Sequence, residues 1–332
     1  MTAERPFLSR QERFRLVGST NDVVRDWLAA GVPEVCLAVA DEQSAGRGRE
    51  GRRWLAPPGR ALLLSLGFRP VWITPERVWR IAATVALAIA DAAEEVAALP
   101  ERSIRLKWPN DLVVEVAGPN ALLVGETTPE GAAARLAAPP ELRKLGGILG
   151  ESEGLGTADP RLVVGLGLNA DWPRAEFPLE LAGSMTSLRE ASGGRPIDLA
   201  LLLDAFLARL EPRILALREG TFDVADWIDR QATTGRTVEL DAGGRREVVR
   251  AVGVDPLTGA LLVADPAAPG GERAIRSGEV TRVRLAPPDP TPGAAPRPNR
   301  SPAPDLDPAG APRPSRQSRP PGSGRWRTSA RV

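Results

Sequence analysis

Gly46-Arg47-Gly48-Arg49-Glu50-Gly51-Arg52-Arg53-Trp54 is the stretch from which the rest of the chain is best approached. Three glycines alternate with arginines, and a tryptophan closes the run. Glycine admits positive φ and lets a ligand come close to the backbone. Arginine carries permanent charge on a planar fork that matches carboxylate or phosphate. Four arginines against one glutamate make the loop cationic, a place to meet an anion. Taken alone, the run fits equally a basic surface loop or a Gly/Arg segment that contacts RNA. It is not a phosphate-binding P-loop, since no Gly-Lys-Ser/Thr follows, and its glycines lack the dinucleotide-binding spacing.

Composition narrows the chemistry. The 332 residues leave room for two domains. No apolar run reaches the length of a membrane span. The charged start, residues 1–15, carries no signal-peptide core, so a cytoplasmic protein is expected. A single cysteine, Cys36, rules out an internal disulfide framework. Histidine and tyrosine are absent, which excludes a Ser-His-Asp triad, a Cys-His pair and any histidine metal site. Of 43 lysines and arginines, only Lys107 and Lys144 are lysine. Where arginine serves wherever charge suffices, a lysine that persists is a candidate for a compact, freely rotating point charge. Asparagine is scarce too: Asn21, Asn110, Asn120, Asn169 and Asn299.

Working outward from the loop, Ser19-Thr20-Asn21-Asp22 caps a predicted helix over 21–30, with Gly31 behind it. Strands are predicted over 35–40 and 61–68, on either side of the loop. Thr74-Pro75-Glu76 starts a long helix to about residue 98. Strands follow at 103–108 and 112–116, then 145–151 and 162–168, with helices at 198–217 and 222–231. The composition of residues 117–143 reads as an insertion. Short alternating runs between 236 and 285 predict a small β-barrel. From residue 287 on, 13 of 46 residues are proline and the net charge is +5, which predicts a disordered tail. The fold class expected is α+β, a mixed, largely antiparallel sheet packed on helices. The domains expected are 1–232, 233–286 and the tail 287–332.

Four further runs accompany the loop: Ser19-Thr20-Asn21, Lys107-Trp108-Pro109-Asn110-Asp111, Arg143-Lys144-Leu145-Gly146-Gly147-Ile148-Leu149 and Gly165-Leu166-Gly167-Leu168-Asn169. Each has an ordinary structural explanation; all five in this order do not arise by accident. Together they resemble the biotin–protein ligase family, over about residues 14–285.

That resemblance implies a class II synthetase-like catalytic domain and a C-terminal SH3-like β-barrel. It implies an enzyme that uses ATP and Mg²⁺ to convert biotin into biotinyl-5′-AMP. The biotinyl group then passes to a lysine of a biotin carboxyl carrier domain of a carboxylase. By the same resemblance, Lys144, Arg49 and Asp111 are catalytic. Ser19, Thr20, Asn21, Gln43, Arg47, Gly48, Arg49 and Lys144 bind biotin, with Asp111 accepting from a ureido N–H. Trp54, Lys107, Asn110 and Asn169 serve the nucleotide, with Mg²⁺ near Asn169. Too few residues precede Arg15 for the winged-helix domain of the repressor-type members, so DNA binding is not expected, nor is a membrane partner. Monomer and homodimer both stay open. The alternatives are a lipoate–protein ligase, a non-catalytic biotinyl-AMP sensor, and nucleic-acid binding through the arginine-rich tail.

Overall fold

The computed structural model describes residues 6–116, 141–242 and 244–284. The expected tail, and all but the last three residues of the expected insertion, lie outside the described residues. The described residues all fall in one compact unit.

The main sheet has seven strands: β1 (Arg10–Phe14), β2 (Cys36–Ala40), β3 (Ala61–Phe68), β4 (Ile104–Lys107), β5 (Asp111–Val116), β6 (Glu141–Glu153) and β7 (Arg161–Asn169). Their spatial order is β1-β2-β3-β7-β6-β5-β4, and every neighbouring pair is antiparallel except β1 with β2. A second sheet holds β8 (Thr237–Ala242), β9 (Arg245–Val254), β10 (Leu261–Ala264), β11 (Glu272–Ile275) and β12 (Glu279–Arg284), in the order β11-β10-β9-β8-β12. The helices are α1 (Thr20–Ala29), α2 (Trp79–Val96), α3 (Leu188–Ala191), α4 (Leu199–Arg218) and α5 (Val224–Asp229). The fold is α+β with antiparallel-rich sheets, as the sequence led us to expect.

Alternation along the strands assigns the two faces of the main sheet. Leu62, Leu64, Leu66 and Phe68 of β3, with Leu162, Val164, Leu166 and Leu168 of β7, form the main core under α2 and α4. The helix α2 is alanine-rich and buried nearly all round, which lets it lie close to the sheet. Asp198 starts α4 by accepting from the backbone N–H groups of Ala200 and Leu201 at 2.8 and 3.1 Å. The opposite face carries Ser65, Gly67, Val163, Gly165 and Gly167. There α1 covers one end through Val24, Trp27 and Leu28 against Cys36, Ala38 and Val163. The rest of that face is the floor of the site.

Two elements were not expected. The strand β1 reads Arg-Gln-Glu-Arg-Phe, with little apolar signal, yet it adds to the sheet edge by pairing parallel with β2. The single-turn α3 is too short to show a helical period. The predicted strand at 145–151 is longer, running from Glu141, and β5 pairs with its first half, Glu141 to Gly147. Among the described residues, no helix is long and apolar enough to cross a membrane.

Candidate active site

The site is a cavity of about 260 Å³ on the α1 side of the sheet. It is lined by Ser19, Thr20, Asn21, Gln43, Arg47, Gly48, Arg49, Trp54, Asn110, Asp111, Lys144 and Asn169. Of the residues singled out in the sequence, only Lys107 lies outside it. Lys107 lines an adjoining cavity that shares Arg49, Asn110 and Asp111 with the first.

Glycines shape the floor. A Cβ on Gly167 would stand 2.6 Å from the indole of Trp54, and a Cβ on Gly165 would overlap Oδ1 of Asn21. A Cβ on Gly46 would come 2.5 Å from the Trp54 carbonyl oxygen. Each glycine therefore makes room for a named site residue. Gly165→Ala is expected to lower stability by about 1–3 kcal/mol, the cost of overpacking a closed core position. A urea-unfolding midpoint shifted down at unchanged slope is the check.

One end of the cavity is a hydrogen-bond network of neutral side chains backed by mutually paired charges. Gln43 Oε1 accepts from the Thr20 backbone N–H at 2.8 Å and lies 3.1 Å from Thr20 Oγ1. Ser65 Oγ, fully buried on β3, lies 2.7 Å from Thr20 Oγ1 and 2.6 Å from Asn21 Oδ1. Asn21 Nδ2 donates to Glu151 at 2.6 Å. Arg47 belongs here too, and it is not a free cation: both its Nη atoms reach the Asp22 carboxylate, at 2.7 and 2.8 Å, with Glu151 3.6 Å away. The hydrogen bonds from Arg47 hold the Asp22 carboxyl below the usual carboxylate range. Ser65, Asp22 and Glu151 were missed in the sequence, where a lone serine in a strand, an acid in the first turn of α1 and an acid in β6 look like ordinary surface or packing residues.

The other end gathers the cations. Lys144 Nζ is 2.6 Å from one oxygen of Asp111, and Lys107 Nζ is 3.2 Å from the other. The chain's only two lysines thus meet on one carboxylate. A β-bulge brings this about. Leu112 pairs with Gly146 and Val113 with Lys144, so Leu145 is the extra residue. In regular register Lys144 would face away from Asp111; the bulge rotates it onto the Asp111 face. The Lys144 backbone is then fixed by donating to Ser184 O and accepting from Thr186 N, each at 2.8 Å.

Asp111 opposes Gly147, four strand residues from Glu151, or roughly 13 Å at the usual rise. Asp111 therefore stands at the lysine end and not beside the Ser19–Gln43 network, where the resemblance put it on a ureido N–H. The corner carrying it is anchored on both sides. Trp108 Nε1 donates to Gly259 O of the second sheet at 3.1 Å. Leu106 N–H donates to Arg230 O at 2.7 Å, and the buried Arg230 is tied to Asp91, Glu94 and Asp226.

Asn110 and Asn169 do less than the sequence suggested. Asn110 Nδ2 donates to Ile148 O at 2.7 Å and Asn169 Nδ2 to Thr186 O at 3.0 Å, so both amides clamp backbone. Both residues line the cavity. No group of three or more metal-binding side chains occurs among the described residues, and one neutral oxygen at Asn169 does not make a resident Mg²⁺ site.

The loop roofs the cavity. Trp54 lies against Gly167, with Lys144 Nζ 5.7 Å from its ring centroid. Arg49 donates to Gly278 O at 3.1 Å, and Arg52 makes a two-pronged pair with Glu279 at 2.6 and 2.5 Å.

Comparison with known proteins gives the family to which this slot, its paired lysines and its cationic roof belong. Residues 14–169 match the model of the biotin/lipoate A/B protein ligase family. The chain is 30% identical over 235 residues to the biotin--[acetyl-CoA-carboxylase] ligase of Mycobacterium tuberculosis, covering 70% of this chain and 74% of that one. It is 28% identical to the bifunctional ligase/repressor BirA of Bacillus subtilis, covering 60% of this chain but 51% of that one, about half its length. Among solved structures, biotin protein ligase from Aquifex aeolicus in complex with biotin and ATP superposes with a TM-score of 0.62 at 25% identity, covering 83% of this chain and 99% of that one. The chain is an enzyme of the ligase class. It belongs to the biotin/lipoate A/B protein ligase family.

Proposed function

We propose that this ligase activates biotin with magnesium-bound ATP and transfers it to a carrier lysine. In the first step a biotin carboxylate oxygen attacks the α-phosphorus. The bond to the β-phosphate oxygen breaks, and pyrophosphate leaves with the magnesium ion that came with ATP. In the second step the amine of a lysine on a biotin carboxyl carrier domain attacks the carbonyl of biotinyl-5′-AMP. An amide forms, AMP leaves, and the amine proton passes to a base. The pairing of Lys144 and Lys107 on Asp111, at the end of a slot whose other end is lined chiefly by Ser19, Thr20, Asn21 and Gln43, is the observation that carries this reading.

The slot suits an elongated molecule with a neutral hydrogen-bonding head and an anionic tail. The ureido ring would lie among Ser19, Thr20, Asn21 and Gln43, and the carboxylate would reach Lys144. Arg47 would hold the wall of the ring end through Asp22. Lys144 and Arg49 would offset the repulsion between carboxylate and phosphate. Trp54 would pack on the adenine, and Lys107 in the adjoining cavity would meet the phosphates leaving with pyrophosphate. Asn110 and Asn169 would hold the backbone around the nucleotide and offer acceptor oxygens. Asp111 would receive the carrier amine.

We read residues 1–232 as the catalytic domain and 233–286 as a small domain whose five strands build an SH3-like barrel. The enzyme would act in the cytoplasm. Lipoate has no ureido group to satisfy the Ser19–Gln43 network. A polar site that loses its partner in this way discriminates by about 10⁴-fold. The test is incubation of the purified chain with ATP, magnesium, a carrier domain and labelled biotin or lipoate. Biotin on the carrier lysine is the expected product; label from lipoate alone contradicts the assignment.

A further inference from the structure

The glycine–arginine loop is held from outside the main sheet. Arg52 binds Glu279, the first residue of β12 in the second sheet, through two parallel bonds at 2.6 and 2.5 Å. Arg49 donates to the carbonyl of Gly278 next to it at 3.1 Å. Gly278 packs closely on β8: its φ is 142° and a Cβ there would stand 2.7 Å from Asp241 O. Glu279 is the less exposed partner, its side chain 21% accessible against 62% for Arg52. Within the loop, Glu50 is the other carboxylate near Arg52, at a longer 3.8 Å. The chain at the start of β12 thus offers a two-point hold on a loop otherwise rich in glycine.

We propose that Glu279 is the catch of this loop, a positioning residue that acts through Arg52 to set how often the roof opens. It rests on the function proposed above, in which the roof retains biotinyl-5′-AMP. The physical consequence is a division of labour. The main sheet supplies the reacting groups, while the second sheet sets how long the intermediate stays shielded from water and from stray amines. An acyl-adenylate left open to solvent hydrolyses, so roof opening competes with delivery to the carrier.

The loop supplies its own reporters: the amides of Gly48, Arg52 and Trp54 bond to Arg52 O, Arg49 O and Gly46 O within it. Hydrogen exchange of the full chain without ligand should show these amides exchanging about three- to five-fold faster in Glu279→Gln, the range of a partly exposed ion pair. The α2 amides should be unchanged. Glu279→Asp should fall between, and the swap Arg52→Glu with Glu279→Arg should restore protection. Release of biotinyl-5′-AMP should rise by a similar factor in Glu279→Gln. Unchanged loop exchange, or faster exchange shared equally by α2, overturns the catch. Faster loop exchange without faster release overturns its part in retention. Failure of the unsubstituted chain to form any adenylate would instead count against the underlying function.

Discussion

Lys144→Arg is expected to slow biotin-dependent ATP–pyrophosphate exchange by about 10²–10³-fold, the usual loss when one aimed donor at a developing charge is removed. Net charge is kept, so the loss isolates shape. Two anions at ~4 Å repel by about 4 kcal/mol at an effective dielectric near 20, and the group between them must bond to both. An ammonium does so as a compact charge with three donors, whereas a guanidinium is a wide planar fork. The ammonium is aimed here by Asp111, 2.6 Å from Lys144 Nζ, with the Trp54 ring centroid 5.7 Å away. The backbone cannot retreat, because 184–186 pairs with it on the side away from Asp111. A chain with arginine at every other basic position keeps lysine at both positions that meet Asp111. Exchange within two- or three-fold of the unsubstituted enzyme would contradict that role.

Asp111→Asn is expected to split the two half-reactions. Transfer from preformed biotinyl-5′-AMP to the carrier lysine should fall by about 10²–10⁴-fold, the range for a lost general base. Adenylate formation should fall less, by about ten-fold, through loss of the carboxylate that sets Lys144 and Lys107. The basis is placement: Asp111 is the carboxylate between both lysines, its side chain 13% accessible, at the end of the slot where the anhydride would form. Single-turnover measurement of each step is the check. An equal loss in both would mean that Asp111 acts only by holding the lysines.

The sequence carried much of this because its biases are unusual. Two lysines against 41 arginines marked Lys107 and Lys144, whereas Gly165 and Gly167 read only as part of a run ending at Asn169 and became the floor through the packing of Asn21 and Trp54. Most elements followed from caps and periodicity, as with Asp198 before α4 and the apolar run of β3. What escaped was set by pairing across the chain. The bulge at Leu145 depends on which residues of β5 and β6 oppose each other, and no local pattern announces it. Ser65 becomes a site residue only because β3 lies under Thr20 and Asn21. Arg47 looked like a ligand-facing cation, but Asp22 on α1 meets it first. Glu279 is 227 residues from its partner Arg52 and lies in a different sheet.

ATP–pyrophosphate exchange by the purified full chain, with biotin or with lipoate as the acid, tests the central claim most directly. The account predicts magnesium-dependent exchange with biotin, weaker by about 10⁴-fold with lipoate, and slowed by about 10²–10³-fold in Lys144→Arg. Exchange supported by lipoate and not by biotin, or exchange indifferent to the substitution, would contradict it.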